Sequence, residues 1–251
     1  MPKKEKIVVC VDPSIFLAEV FGNETQSTRA GAIGKFQQIF QFEKCMPKTV
    51  KDEVESRLSE IIKLVEELSK DFIREFRLFK GEQSKIGLSD LTSIQSFFSD
   101  LKKNHKIRSS ELEIINNIES VLVQFLTENY SKKKGLETND FVLDVMVEFN
   151  KLLSGLKYTF YSNLKGYKIF SVEVNPETCK KLHNEKKLEK TVKKKPQEIK
   201  ILCEVESYKQ NSKKTCLLAT VDHNDFLSNA KLIESLIGIK CVDPIYLPNE
   251  F

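Results

Sequence analysis

Histidine is scarce in this 251-residue chain, with three residues in all, and no Cys-x-x-Cys pair occurs among its six cysteines (Cys10, Cys45, Cys179, Cys203, Cys216 and Cys241). A zinc site needs several such ligands at short spacing, so zinc is not expected. No apolar run approaches the roughly 20 residues of a membrane span, which argues against a membrane partner. The opening residues MPKKEKIVVCVD pass straight into a strand-like run and hold no signal-peptide hydrophobic region. A cytoplasmic location is the expectation. A glycine-rich phosphate loop, an RNA-stacking aromatic motif and a zinc knuckle are all missing, and so is any internal repeat.

What remains is a chain that is 40% hydrophobic and 30% charged, enough for both a core and a solvated surface. Its length suits one large domain or a domain carrying an insert. The formal net charge is only +4, but lysines crowd into a few segments. The most informative stretch is Thr215 to Phe226, TCLLATVDHNDF. Its apolar opening, Cys216 to Ala219, has the length of a buried parallel strand, and Thr220, Asp222, His223, Asn224 and Asp225 follow at once. The N-terminus repeats the arrangement, with Lys6 to Val11 followed by Asp12. Functional side chains in open α/β sheets stand just beyond the carboxyl ends of strands. Two strands that each deliver an aspartate there predict a shared acidic site.

Along the chain, Pro13-Ser14 opens a helix through Ile15, Phe16, Leu17 and Val20 to Gly22, and a second helix is expected over 29–42. Lys44-Cys45-Met46 reads as a short edge of sheet. Pro47 starts a long helix whose stripe is Val50, Val54, Leu58, Ile61, Ile62, Val65 and Leu68, with Glu53 at its border. Residues 84–165 read as a helical insert between the two parts of one domain, 1–83 and 166–251. Its helices are expected over 89–104, 110–130 (with a Ser110/Glu113 capping box) and 139–164. Residues 166–174 alternate like a strand, and 180–196 form a lysine-rich connector. A helix over 196–209 turns Ile199, Leu202 and Cys203 inward. Another over 226–237 stops at Gly238, and a last strand covers 239–242. Cys10 and Cys216 fall within strands and read as buried free thiols.

Three separated segments resemble the PIN-domain family of metal-dependent nucleases. Val11-Asp12-Pro13-Ser14 is similar to the family's opening strand-Asp-x-Ser motif. Met46 to Glu53 resembles its Pro-x-x-Val-x-x-Glu helix start. Thr220-Val221-Asp222-His223-Asn224-Asp225-Phe226 is similar to its Thr-x-Asp-x-Asp/Asn-Phe end with one extra residue, and Gly238 to Pro244 suits its final strand. The resemblance covers 5–80 and 195–251. The family places a further aspartate at the start of the helix before the late strand; here that helix opens Pro196-Gln197-Glu198, and Glu198 takes the position in preference to Asp140 of the insert.

The resemblance implies a three-layer α/β fold with a central parallel sheet, and an endoribonuclease acting in RNA processing. It implies Mg²⁺ or Mn²⁺ held by Asp12, Glu53, Glu198, Asp222 and Asp225, a hard oxygen set suited to those ions. Lys193, Lys194 and Lys195 become expected substrate contacts, and Ser14 and Thr220 are expected to hydrogen-bond bound phosphate or the metal ligands, or to cap their turns. Structural roles stand beside the chemical ones. Asp222 and Asp225 suit turns and N-caps, Glu198 suits its helix dipole, and Glu53 can pair with Arg57. His223 reads as incidental, and the lysine run as an RNA-backbone contact or a solvated connector. Asp12 has no second aspartate two residues on, as a haloacid-type phosphatase requires. The competing expectation is a PIN-like scaffold without catalysis that binds RNA or protein. The large apolar residues of the insert, Phe97, Phe98, Ile114, Ile115, Leu122, Phe125, Phe141, Met146 and Phe149, are expected to pack into a satellite core of a helical bundle or to be covered in part by a protein partner or a second copy.

Overall fold

In a computed structural model the described residues are 7–21, 27–38, 42–80, 85–86, 89–104, 109–133, 136–185, 188 and 195–249. Seven strands occur among them: β1 (Ile7–Val11), β2 (Glu43–Pro47), β3 (Lys85–Ile86), β4 (Leu136–Glu137), β5 (Lys168–Phe170), β6 (Thr215–Ala219) and β7 (Lys240–Val242). The helices are α1 (Pro13–Phe21), α2 (Ser27–Gln38), α3 (Lys48–Lys80), α4 (Ser89–Asn104), α5 (Ser109–Lys133), α6 (Thr138–Leu164), α7 (Pro176–Asn184), α8 (Pro196–Ser212) and α9 (Ala230–Ile237). Contacts divide the chain into two units, Met1–Arg57 with Thr159–Phe251, and Leu58–Tyr158. The division falls within α3 and α6, inside the helices, where the sequence patterns change only at 84 and 165.

The first unit is mixed α/β, built on a five-stranded sheet in the order β5-β2-β1-β6-β7. Every pairing in it is parallel. Parallel neighbours need crossover connections, and helices supply them here. β1 and β6 carry β-branched and aliphatic residues that are buried from both faces, as inner parallel strands are. From β1 the chain steps outward to β2 and β5, then returns past β1 to lay down β6 and β7. The reversal therefore lies between β1 and β6, where Val11 stands opposite Ala219. Open sheets take their ligands in the crevice at such a reversal.

Two details of the sheet differ from the sequence pattern. β2 is an inner strand, between β1 and β5, and not a sheet edge. Its polar start is accommodated because Glu43 pairs with Lys168 at 2.8 Å and Lys214 at 2.5 Å. The strand expected over 166–174 is confined to Lys168–Phe170. Beyond it, the Asn175 side chain accepts from Glu177 N at 3.0 Å to start α7, and Asn175 N donates to Ser207 Oγ at 3.1 Å. The lysine-rich connector thus begins as a helix.

Phe16 of α1 meets the rings of Phe160 at 5.0 Å and Tyr167 at 5.7 Å, and the Tyr167 hydroxyl donates to Glu19. α8 buries Ile199 and the whole of Ile201 to Tyr208, so its two inner acids need partners. Glu204 accepts from Thr49 N at 3.2 Å and Thr49 Oγ1 at 2.6 Å, capping the start of α3. Glu206 accepts from Thr178 Oγ1 at 3.2 Å. Cys179 and Cys203 are joined as a disulfide across 24 residues, tying α7 to α8, while Cys10, Cys45, Cys216 and Cys241 are free and buried.

Among its described residues the second unit is helical apart from the antiparallel pair β3–β4. Phe72 lies at its centre, with ring centroids of Phe97 at 5.5 Å, Phe76 at 5.7 Å and Phe98 at 6.1 Å. Ile115, Leu122, Phe141 and Phe149 are buried as their spacing predicts, but Met146 is exposed alongside Leu143 and Val147 on α6. The unit supplies none of the five expected acids.

Candidate carboxylate site

Asp12 is the first residue beyond β1. Its N–H donates to Ala219 O at 3.2 Å, and Thr220 N donates to Val242 O at 3.1 Å, so the ladder continues one residue past the strands. Asp12 is 2% exposed, which makes the partners of its carboxylate decisive. Oδ1 accepts from Ser14 Oγ at 2.7 Å and Ile15 N at 3.2 Å, and Oδ2 accepts from Thr220 Oγ1 at 2.7 Å. Burial pushes its pKa up to about 6; the bonds from Thr220, Ser14 and Ile15 pull against this, and Asp222 adds to it by repulsion.

Of the roles expected for Ser14 and Thr220, bonding to the acids is the one seen: both donate to the Asp12 carboxylate. Ser14 Oγ also accepts from Val221 N at 3.3 Å, and Thr220 Oγ1 from Asp222 N at 3.0 Å. Thr220 is fully buried, so its hydroxyl positions Asp12 and the following turn.

That turn is a single π-helical turn, His223–Leu227, and not the first turn of a helix over 226–237. The Asp222 Oδ1 atom accepts from Asn224 N at 2.9 Å and Asp225 N at 3.0 Å, and Phe226 is buried beneath. The cap turns Asp225 inward, 3% exposed, while His223 remains in solvent. Asp225 Oδ2 accepts from Lys195 Nζ at 2.5 Å. α9 follows and ends at Gly238, whose φ of 66° lies in the left-handed region that glycine adopts without strain.

Glu53 and Glu198 complete the group. Glu53 stands on α3 one turn after Thr49, the residue held by Glu204; Glu198 is in the first turn of α8. In each, the Oε2 atom is buried without a hydrogen-bond partner. Burial raises the Glu53 pKa, opposed by Lys195 and Arg57. The Glu198 pKa is pushed up to about 8 by burial first, then by repulsion from Asp12, Glu53 and Asp225, against the attraction of Lys195. Lys195 in turn feels Asp225, Asp222 and Glu198. Asp12, Glu53, Glu198, Asp222 and Asp225 therefore share one electrostatic neighbourhood, drawn from separate segments of the chain.

The donor set is all oxygen and hard, and two of its buried oxygens are orphaned, which is the chemistry a Mg²⁺- or Mn²⁺-sized cation would satisfy. The spacing is another matter. Among the described residues no group of three histidine, cysteine, aspartate or glutamate side chains is arranged to hold a metal ion. Lys193 and Lys194 lie outside the described residues. Two features have no motif in the sequence: the Lys195–Asp225 ion pair and the Glu204 cap on Thr49. The buried acid inside an otherwise apolar helix face is the signal that could have revealed the second. No family model, curated protein or solved structure matches the chain.

Proposed function

We propose that the first unit is a PIN-like, divalent-metal-dependent endoribonuclease acting in RNA processing, with Asp12, Glu53, Glu198, Asp222 and Asp225 as its acidic centre. The observation that carries this reading is the position of the acids. Asp12 and the Thr220–Asp222 segment leave adjacent strands at the sheet reversal, and the other acids act on them electrostatically. The strand order and the sequence motifs around these residues support the same reading.

Bound Mg²⁺ or Mn²⁺ would relieve phosphate charge and lower the pKa of water. The chain's own residues supply the frame for that chemistry. Thr220 and Ser14 fix both oxygens of Asp12, and the Asp222 cap fixes the turn that presents Asp225. Glu204 anchors the start of the helix that carries Glu53. Lys195, whose side chain is 54% exposed, is open to an approaching phosphodiester. The test is cleavage of structured and unstructured RNA with Mn²⁺ and with chelator. Metal-dependent fragments ending in 3′-hydroxyl and 5′-phosphate support the reading, and intact RNA throughout rejects it.

A second reading is a PIN-like scaffold without catalysis that binds RNA or a protein. The Lys195–Asp225 ion pair favours it, because an ammonium already neutralises part of the acidic group. RNA retained without cleavage in the same experiment selects this alternative.

A further inference from the structure

Phe160 fixes which way the end of α6 faces. It is fully buried and meets the Phe16 ring of α1 at 5.0 Å. Tyr158 and Tyr161 therefore turn away from that contact, 76% and 49% exposed. Three positions apart, they are neighbours on one face of the helix. The Tyr161 ring meets Phe160 edge-on at 5.3 Å, while Tyr158 has neither a hydrogen bond nor a ring contact among the described residues.

The charge around the two rings is of one sign. No aspartate or glutamate stands between Glu148 and Glu173, a stretch that holds Lys151, Lys157, Lys165 and Lys168. Lys151 and Lys168 are engaged by Glu148 and Glu43. Lys157 and Lys165 are exposed and have no ion-pair partner among the described residues. Lys165 N donates to Tyr161 O at 3.3 Å, so the helical spacing carries on past Tyr161 to Lys165. Lys51 of α3, held by Glu55 at 2.8 Å, is also close enough to feel Tyr161.

We infer that Tyr158 and Tyr161 form a stacking platform for the bases of single-stranded RNA, with Lys157 and Lys165 meeting the adjoining phosphates. This rests on the ribonuclease reading above and narrows its substrate to unpaired strands. Aromatic rings stack on any base, because every base has a π-face, and basic side chains beside them track the backbone. Bases inside a duplex are already stacked on one another and leave the rings no face to meet. Single exposed tyrosines need no explanation. A pair one turn apart, in an acid-free stretch with unpaired lysines, does need one. Protein interfaces also favour tyrosine but are depleted in lysine, so the charge selects RNA over a protein. The platform stands on the elements that carry the acids: Phe160 packs on Phe16, four residues after Asp12, and Lys51 is two residues before Glu53.

The test is binding of fluorescently labelled oligouridine to the full chain by anisotropy, in chelator so that no cleavage intervenes. The wild type is compared with Tyr158→Ala, Tyr161→Ala, Tyr158→Phe and Tyr161→Phe, each checked for folding by circular dichroism. Each alanine variant should bind at least about fivefold more weakly with an unchanged salt slope, since stacking releases no counterions. The phenylalanine variants should stay close to wild type, and duplex RNA should compete poorly. Lys157→Gln combined with Lys165→Gln should instead lower the slope by about 1.4. Equal binding by the folded alanine variants overturns the platform and leaves the nuclease reading standing. Weakened binding in those variants, with no cleavage by the wild type in Mn²⁺, keeps the platform and rejects the nuclease. A wild-type dimer that Tyr158→Ala breaks, with RNA binding unchanged, assigns the face to a second copy and overturns the platform. Absence of oligouridine binding by the wild type overturns it as well.

Discussion

The Thr220 hydroxyl donates to Asp12 Oδ2 at 2.7 Å, and this one bond joins the ends of the two strands between which the sheet reverses its order. Thr220→Val preserves the shape and removes the donor, leaving a buried carboxylate oxygen unsatisfied and Asp222 N without its acceptor. A loss of about 1–3 kcal/mol in unfolding free energy is expected from denaturant titration. Asp12→Asn should behave differently. It removes the buried charge, so stability without metal is unchanged or higher, while cleavage falls by more than about a hundredfold. Full activity in Asp12→Asn denies that residue its role.

The raised acids set the pH dependence. Both Asp12 and Glu198 bind protons more tightly folded than unfolded, so their contribution to stability is fully present below the unfolded values and fades as pH rises. For Asp12 that window runs from the ordinary 3.8 to about 6, and for Glu198 from 4.5 to about 8. Without metal, Glu198→Gln should therefore gain on the wild type in melting temperature between pH 5 and 8. A flat difference across that range contradicts the burial of the Glu198 charge. Mn²⁺ affinity should rise over the same interval, because bound protons must leave the ligands first.

Some of this was legible in the residues, and the reasons differ case by case. β1 and β6 read clearly because each is a short apolar run ended by polar residues that cannot continue it. Glu53 read clearly because it borders the stripe of Val50 and Val54. β2 misled because Glu43 and Lys44 look like edge residues, and the lysines that neutralise Glu43 come from 125 and 171 residues away. α7 was hidden by its lysines, although Thr178 and Leu182 turn inward four residues apart. The π-helical turn follows from the Asp222 cap, a contact that a helical pattern over 226–237 does not contain.

The Cys179–Cys203 disulfide had no motif to announce it, since its cysteines lie on two separate helices. Closing a loop of 24 residues should stabilise the folded chain by about 3 kcal/mol through the entropy of the unfolded state. Reduction, or Cys203→Ser, should lower the melting temperature by roughly 6–12 °C. An unchanged melting temperature under reductant shows that the bridge carries no stability.

The lysine run makes its own prediction. Replacing Lys193, Lys194 and Lys195 by Gln should weaken RNA binding in chelator and reduce the logarithmic salt slope by about 2, given roughly 0.7 per single-strand phosphate contact. An unaltered slope assigns the run to a solvated connector.

The central claim is that the five acids act as one metal centre at the sheet reversal. It is tested most directly by anomalous diffraction from crystals soaked in Mn²⁺. The account predicts a peak in contact with Asp12 and with at least one of Glu53, Glu198, Asp222 and Asp225. A crystal with no peak at these residues contradicts it.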